Sequence, residues 1–455
     1  MKVVVVGGGL AGVSCALELA DHGHRVSLLE RAPQLGGLCR SVVDPVAGRV
    51  DTGQHVYLGS CTALERFLGR IGARPQLSQR RLALVVVDPA SAVARRLGAA
   101  PLPAPLHLLP VLLGWPGLGP AAMAQAARIR SSLRHGDHGH LDQVPARSWL
   151  ESLGQAEAII ENLWEPFLVS ACNVKLERCS AAMAAFVIRQ GLLSSPLAGA
   201  IRVPGTDLTA WLHPPADRAL QQAGVEVRLR SRAAAVTRLE SGAFEIVDSD
   251  GGRVAADRLV LATAAQQASR LLREGGLVEP RVEAAARLAD SPIVNVHLFT
   301  DRPFLPGPIV LVPRSPLQWM FDRSALDRSH GDGPFHSAIS ISAADVEIGI
   351  PEDELIAQMW RLCQSTFPGA SRAQLLHARV TREAHATFAA RPGSNALRPG
   401  PRSQLPGLLL AGSWTDTGWP ATMEGAVRSG QTAAAACPPG SGSAELGDRA
   451  GLSAG

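Results

Sequence analysis

The residues at the start of the chain best suited to chemistry are three glycines and a carboxylate. Val3-Val4-Val5-Val6 runs straight into Gly7-Gly8-Gly9-Leu10-Ala11-Gly12, and Glu30 follows about 20 residues later. In such a Gly-x-Gly-x-x-Gly turn Gly7 permits the tight reversal, Gly9 lets the backbone approach a pyrophosphate, and Gly12 lets a helix pack closely on the strand. Leu10 and Ala11 open that helix, whose free N–H groups and positive dipole end suit phosphate oxygens, and Glu30 suits a ribose hydroxyl. The pattern predicts an ADP-binding βαβ unit. A second constellation, Gly412-Ser413-Trp414-Thr415-Asp416-Thr417-Gly418-Trp419-Pro420-Ala421-Thr422-Met423-Glu424, reads as a strand end, a loop and a helix start. Pro420 and Thr422 are helix-initiating residues, so N–H groups at about Thr422 to Glu424 would face an anionic acceptor. A reduced flavin carries negative charge at its N1/C2=O edge, which points to FAD rather than a nicotinamide.

Several elements must position these groups. Val13, Ala16, Leu17 and Ala20 recur at helical spacing, Gly23 sits where a C-terminal cap belongs, and His24 to Glu30 reads as the second strand. A cleaved leader is the alternative reading, and it is not expected because the apolar run is broken by four glycines and Glu18 follows at once. Leu208 to Gln222 is helical, followed by the strand Gly224 to Leu229; Ala256 to Thr263 and Gly407 to Gly412 are buried strands, and a helix runs from about Ala421 to Ala435. Residues 1–75, 200–284 and 396–436 are thus expected to build one FAD-binding domain. Residues 76–199 and 285–395 form the substrate-binding domain, and 437–455, small and glycine-rich, a disordered tail.

The chain's 455 residues are 46% hydrophobic and 18% charged with net charge +4, a globular balance. No basic stretch interleaved with aromatics implies nucleic acid. The seven cysteines are scattered without a Cys-x-x-Cys pair, so a reduced, cytoplasmic protein without structural metal is expected. His135-Gly136-Asp137-His138-Gly139-His140 is read as a solvated loop, since its glycines deny a metal fixed geometry. No window reaches the roughly 18 apolar residues of a membrane span. Prolines divide the most apolar segment, Pro101 to Trp115, which either covers a core from inside or dips into a membrane interface.

Gly7 to Glu30, Leu35-Gly36-Gly37, Val50-Asp51-Thr52-Gly53-Gln54-His55, Leu163-Trp164-Glu165-Pro166 and Ala411 to Gly430 together resemble the hydroxysqualene dehydroxylase family. This is the squalene-associated, FAD-dependent branch of the phytoene-desaturase and amine-oxidase flavoproteins. The resemblance runs from the N-terminus to about residue 436. It implies an α/β fold: a doubly wound, Rossmann-like FAD domain of glutathione-reductase type, built from discontinuous segments, with an α+β substrate domain. It implies ADP contacts at Gly7, Gly9, Gly12 and Glu30; phosphate or ribityl contacts at Arg31, Gly36, Gly37 and Gly412; an adenine contact near Ala233; and isoalloxazine contacts at Gly53, Gln54, His55, Thr422 and Met423. The chain departs from the family at Ser413, where an aspartate is usual, and at Leu38, which follows the Gly36-Gly37 pair where arginine is common. The activity implied is reductive dehydroxylation of hydroxysqualene to squalene for hopanoid-type triterpenes. That chemistry needs a positioned acid, for which His55 and Asp416 are the candidates, and a dry cavity, with Trp164, Glu165, Asn173 and Trp419 as candidate tunnel residues. Core packing is the alternative for the two tryptophans. A phytoene-type desaturase would run hydride in the opposite direction. An amine oxidase, which usually holds a lysine over the flavin, would have only Lys175 available. A long isoprenoid would be collected from the bilayer, which implies peripheral contact at the inner face of the plasma membrane through Leu109, Leu112 and Trp115. No nicotinamide site is visible, so a separate electron donor is expected.

Overall fold

The structure, a computed structural model, describes residues 1–75, 77–116, 118, 121–135, 139–327 and 333–439. The central part of the histidine-rich loop, 136–138, and the tail from 440 onward lie outside the described residues.

Strand β1 (Lys2–Val6) leads through the glycine turn into helix α1 (Leu10–Asp21), which returns the chain to β2 (Arg25–Leu29). β1 pairs in parallel with β2, Val3 opposite Val26 and Val5 opposite Leu28, and on its other edge with Arg258–Leu261, Val4 opposite Leu259. Val3 to Val6 are all buried, as a strand covered on both faces requires. The parallel sheet has five strands in the order Glu226–Arg228, β2, β1, Arg258–Leu261, Leu408–Leu410, drawn from three widely separated parts of the chain. Helix α2 (Thr62–Ile71) ends on Gly72 in the left-handed region, which a glycine adopts without strain.

A mixed seven-stranded sheet forms the second layer. Its order is Leu375–Phe388, Asp290–Thr300, Phe335–Ser342, Gln318–Asp322, Ile309–Val312, Ala83–Asp88, Val93–Gly98. Helices from the 109–193 region pack beside it, among them the short α3 (Leu109–Gly114). The last helix, α4 (Met423–Ala436), lies along α1. Gly430 makes the approach possible, because a Cβ there would overlap the Ala11 carbonyl oxygen; Ser14 Oγ donates to Val427 O at 3.3 Å across the same seam. The two helices thereby bring both of their N-termini to one cavity.

All seven cysteines are free and buried, and among the described residues no group of three His, Cys, Asp or Glu could hold a metal ion. Among those residues no helix is long and apolar enough to cross a membrane.

Candidate active site

A single cavity of about 1120 Å³ begins at the glycine turn and continues between the two sheets into the helical layer. At its polar end lie Gly7, Gly9, Leu10, Ala11, Glu30 and Arg31, with Gly36, Gly37 and Leu38 beside them and Ala233 across. Gly53, Gln54, His55, Gly412, Thr422 and Met423 line its middle. Beyond them the wall is apolar, with Leu109, Leu112, Trp115, Trp164, Phe186 and Trp419 among its residues.

The glycines of the turn have different reasons to be glycine. Gly7 has φ +113, and a Cβ there would stand 2.6 Å from Ala262 O; a Cβ on Gly12 would overlap the Gly7 carbonyl oxygen. Both are demanded by the protein itself. Gly9 is not: its φ of −74 suits any residue, and a Cβ would meet nothing nearer than Gly37 Cα at 3.8 Å. That open space lies on the cavity, at the uncapped start of α1, where no acceptor is found among the described residues for the N–H groups of Ala11 and Gly12. A cradle of unpaired donors beside space for a chain of phosphates fits the pyrophosphate of FAD. At α4 the same arrangement recurs: Thr422 Oγ1 accepts from Gly425 N at 3.2 Å, while Met423 and Glu424 N–H find no acceptor among the described residues. Those N–H groups fit the flavin's anionic edge. Glu30, buried, accepts from Gly8 N at 2.6 Å and Ala32 N at 2.7 Å, which fixes its carboxylate at the end of β2.

The loop carrying Gly53, Gln54 and His55 is held from the other sheet. His297 Nε2 donates to Asp51 O at 3.0 Å, Asn295 Nδ2 donates to Thr52 O at 3.1 Å, and Thr381 Oγ1 reaches both carbonyls at 3.3 Å. A carbonyl can only accept, so His297 carries its proton on Nε2, and Nδ1 accepts from His336 Nε2 at 3.0 Å. Complete burial pushes the His297 imidazole down to about 4, so it is neutral in the folded protein. His55 Nδ1 lies 3.2 Å from Gly53 O. Burial opposes its charged form, but Cys39 and the Gly53 carbonyl outweigh that and raise the imidazole above its ordinary value.

The polar loop before α4 depends on Arg398, which donates to Thr415 O at 2.7 Å and Trp419 O at 2.8 Å and stacks over Phe388 at 4.8 Å. Burial lowers this guanidinium to about 10 against the opposing pull of Asp416 and Asp142. Glu424, fully buried, accepts from Ala63 N at 3.1 Å and Leu64 N at 2.6 Å and pairs with Arg428 at 2.7 Å, so the first turn of α4 caps α2.

Four sequence expectations need correction. Asp416 is exposed and off the cavity; its Oδ1 accepts from Gly418 N at 3.1 Å and closes a local turn, so it cannot reach a substrate. Glu165 also stands off the cavity wall, since its helix turns Phe167 rather than the carboxylate toward the lumen. Gly12 does not line the cavity; it serves the packing of α1 against the turn. Trp115 is only 6% exposed and, with Leu109 and Leu112, faces the cavity; the exposed leucines of that segment are Leu102, Leu106 and Leu113 at 42%, 50% and 66%, of which Leu106 also lines the cavity. Asn173 lines the cavity, but its side chain is taken up by the fold: it donates to Ser291 O and Thr387 Oγ1 at 3.0 Å each and accepts from Ala343 N at 2.7 Å. Trp164 donates to Gln155 Oε1 at 2.9 Å, and Trp419 meets Phe186 edge-on at 5.1 Å. Sequence reasoning missed Arg398, and also Asn295, His297, Thr381 and the capping role of Glu424, whose partners lie far away along the chain.

Residues 10–438 match the model of the flavin containing amine oxidoreductase family. The chain belongs to that family. It is an FAD-dependent oxidoreductase. Within the family it is 31% identical over 447 residues to a hydroxysqualene dehydroxylase of Rhodopseudomonas palustris, covering 95% of this chain and 97% of that one. It is 30% identical over 447 residues, with the same coverage of each chain, to a hydroxysqualene dehydroxylase of Sinorhizobium fredii. An oxidoreductase from Methanosarcina mazei shares the fold with a TM-score of 0.73 at 17% identity, over 95% of this chain and 99% of that one.

Proposed function

We propose that this flavoprotein reductively dehydroxylates hydroxysqualene to squalene, supplying a hopanoid-type triterpene route. The observation that carries the reading is the continuity of the FAD cradle with a long apolar cavity, in a chain 30% and 31% identical to two hydroxysqualene dehydroxylases over 97% of their length. When bound in reduced form, the flavin supplies hydride to the allylic carbon that loses its hydroxyl. His55 donates the proton with which that hydroxyl leaves as water, and its Gly53 contact orients the ring. The apolar wall excludes water from the electron-poor carbon while the bond breaks. Asn295, His297 and Thr381 hold the backbone that presents His55, so the donor keeps its place without solvent.

The substrate's insolubility calls for entry from a bilayer, with the protein peripheral at the cytoplasmic face of the plasma membrane. The segment from Leu102 to Trp115 supports this: Leu109, Leu112 and Trp115 face the cavity, Leu102 and Leu113 are exposed away from it, and Leu106 lines it while half exposed. α3 packs on the strand Val93–Gly98, whose Arg95 and Arg96 are exposed and suit anionic headgroups. A separate redox partner returns the flavin to its reduced state.

The test uses photoreduced, anaerobic holoprotein mixed with hydroxysqualene, and oxidised holoprotein mixed with phytoene. Flavin reoxidation with stoichiometric squalene by mass is expected in the first, and no bleaching in the second. His55→Gln should keep the flavin and slow squalene formation. Bleaching by phytoene without reaction of hydroxysqualene would replace this reading by desaturation.

A further inference from the structure

Two turns of the helical layer are wound as π-helix, Ile160–Trp164 and Arg189–Leu193, and both reach the cavity wall. A π turn inserts one extra residue into a helix and displaces the backbone at that point, and such turns concentrate at functional sites. The second turn contains Gly191, which is buried and lines the cavity. A Cβ on Gly191 would lie 3.3 Å from Leu58 Cδ1 and 3.3 Å from Phe167 Cζ, both of which also line the cavity. Gly199 lies behind that backbone, and a Cβ there would stand 3.3 Å from Gly191 O. A side chain at 191 therefore crowds Leu58 and Phe167, which line the cavity with it.

We propose that Gly191 is a specificity-determining residue: with Leu58 and Phe167 it gauges the bore of the cavity, leaving it wide enough for a long, methyl-branched polyprenyl chain. The proposal rests on the functional reading above only for the chemical class of the ligand. A methyl-branched chain is broader than a linear one at each branch, so a constriction of one or two carbon atoms discriminates by length and branching. It leaves untouched a short ligand that stops before the constriction. Discrimination by single carbon groups in an apolar pocket amounts to about tenfold or more.

The experiment measures binding by perturbation of the flavin spectrum in oxidised holoprotein, with squalene and geraniol in detergent micelles as the long and short probes. Gly191→Leu is expected to weaken squalene binding by about tenfold or more and leave geraniol binding unchanged. Phe167→Leu added to that variant should restore squalene binding by reopening the space. Gly191→Ala, whose one methyl group asks only a small shift of Leu58 and Phe167, is the milder variant and should show a smaller loss with the same rescue. Unchanged squalene binding in either flavin-loaded variant, equal weakening of both probes, or no rescue by Phe167→Leu overturns the proposal. Because the readout is binding, failure of hydroxysqualene turnover would refute the functional reading and leave this result standing.

Discussion

Alanine at Gly9 and alanine at Gly12 should have opposite consequences, because one glycine serves the cofactor and the other the fold. At Gly12 the new Cβ would overlap the Gly7 carbonyl oxygen and stand 3.3 Å from Ala262 Cβ, so α1 must move off the turn that starts it. Forced overpacking in a closed core costs about 1–3 kcal/mol, and here the obstacle is backbone, which places the cost at the upper end of that range. At Gly9 the φ and ψ of −74 and −178 are open to alanine, and the nearest protein atom is 3.8 Å away. Restricting the unfolded chain contributes about 0.4–1 kcal/mol of stability, and losing glycine at an N-cap costs a similar amount, so apoprotein stability should change by less than about 1 kcal/mol. The methyl group instead occupies the place of the pyrophosphate, and Gly9→Glu adds a repelling charge. Wild-type holoprotein at a free FAD concentration of about 100 Kd gains about 2.7 kcal/mol that these two variants should lack. Thermal melts of apoprotein and holoprotein, with flavin absorbance of the purified protein, separate the cases. A Gly9→Glu protein that keeps stoichiometric FAD, or a Gly12→Ala apoprotein as stable as wild type, would refute the assignment of roles.

The buried His297 makes stability depend on pH. Burial holds His297 at about 4 against 6.5 in the unfolded chain, so the unfolded state binds the extra proton first. Stability is then complete above pH 6.5 and declines as pH falls toward 4, by up to about 3 kcal/mol. Denaturant titrations of wild type and His297→Gln should converge in this window; a wild-type stability flat from pH 6.5 to 4 would remove His297 as the cause. At the outer wall, replacing Leu102, Leu106 and Leu113 by Ser should reduce sedimentation with anionic vesicles and keep the FAD spectrum. Replacing Leu109, Leu112 and Trp115 should instead disturb the cavity, and undiminished vesicle binding by the first triple variant would place the membrane contact elsewhere.

The βαβ unit was legible because its determinants are local. An all-valine strand, three glycines at fixed offsets, an apolar helical stripe and a carboxylate lie within 30 residues, and each acts on its neighbours in the chain. Helix Leu208–Gln222 was readable from its periodicity even with Pro214 and Pro215 inside it. What depends on distant partners left no such trace. The clamp on Asp51 and Thr52 comes from residues more than 240 positions away, and a buried asparagine or histidine has no spacing that announces its acceptor. Asp416 sat in a segment that looked catalytic, yet its side chain closes a local turn while the neighbouring Ser413 and Trp419 face the cavity. The segment from Leu106 to Trp115 shows the limit most plainly. Apart from His107, which is itself buried, it is apolar, so no amphipathic stripe says which face turns inward. Composition and local spacing therefore determined the cofactor turn and the elements around it. Only tertiary packing, which sets Trp115 against the cavity and leaves Leu113 outside, decided which apolar side chains form the wall of the site.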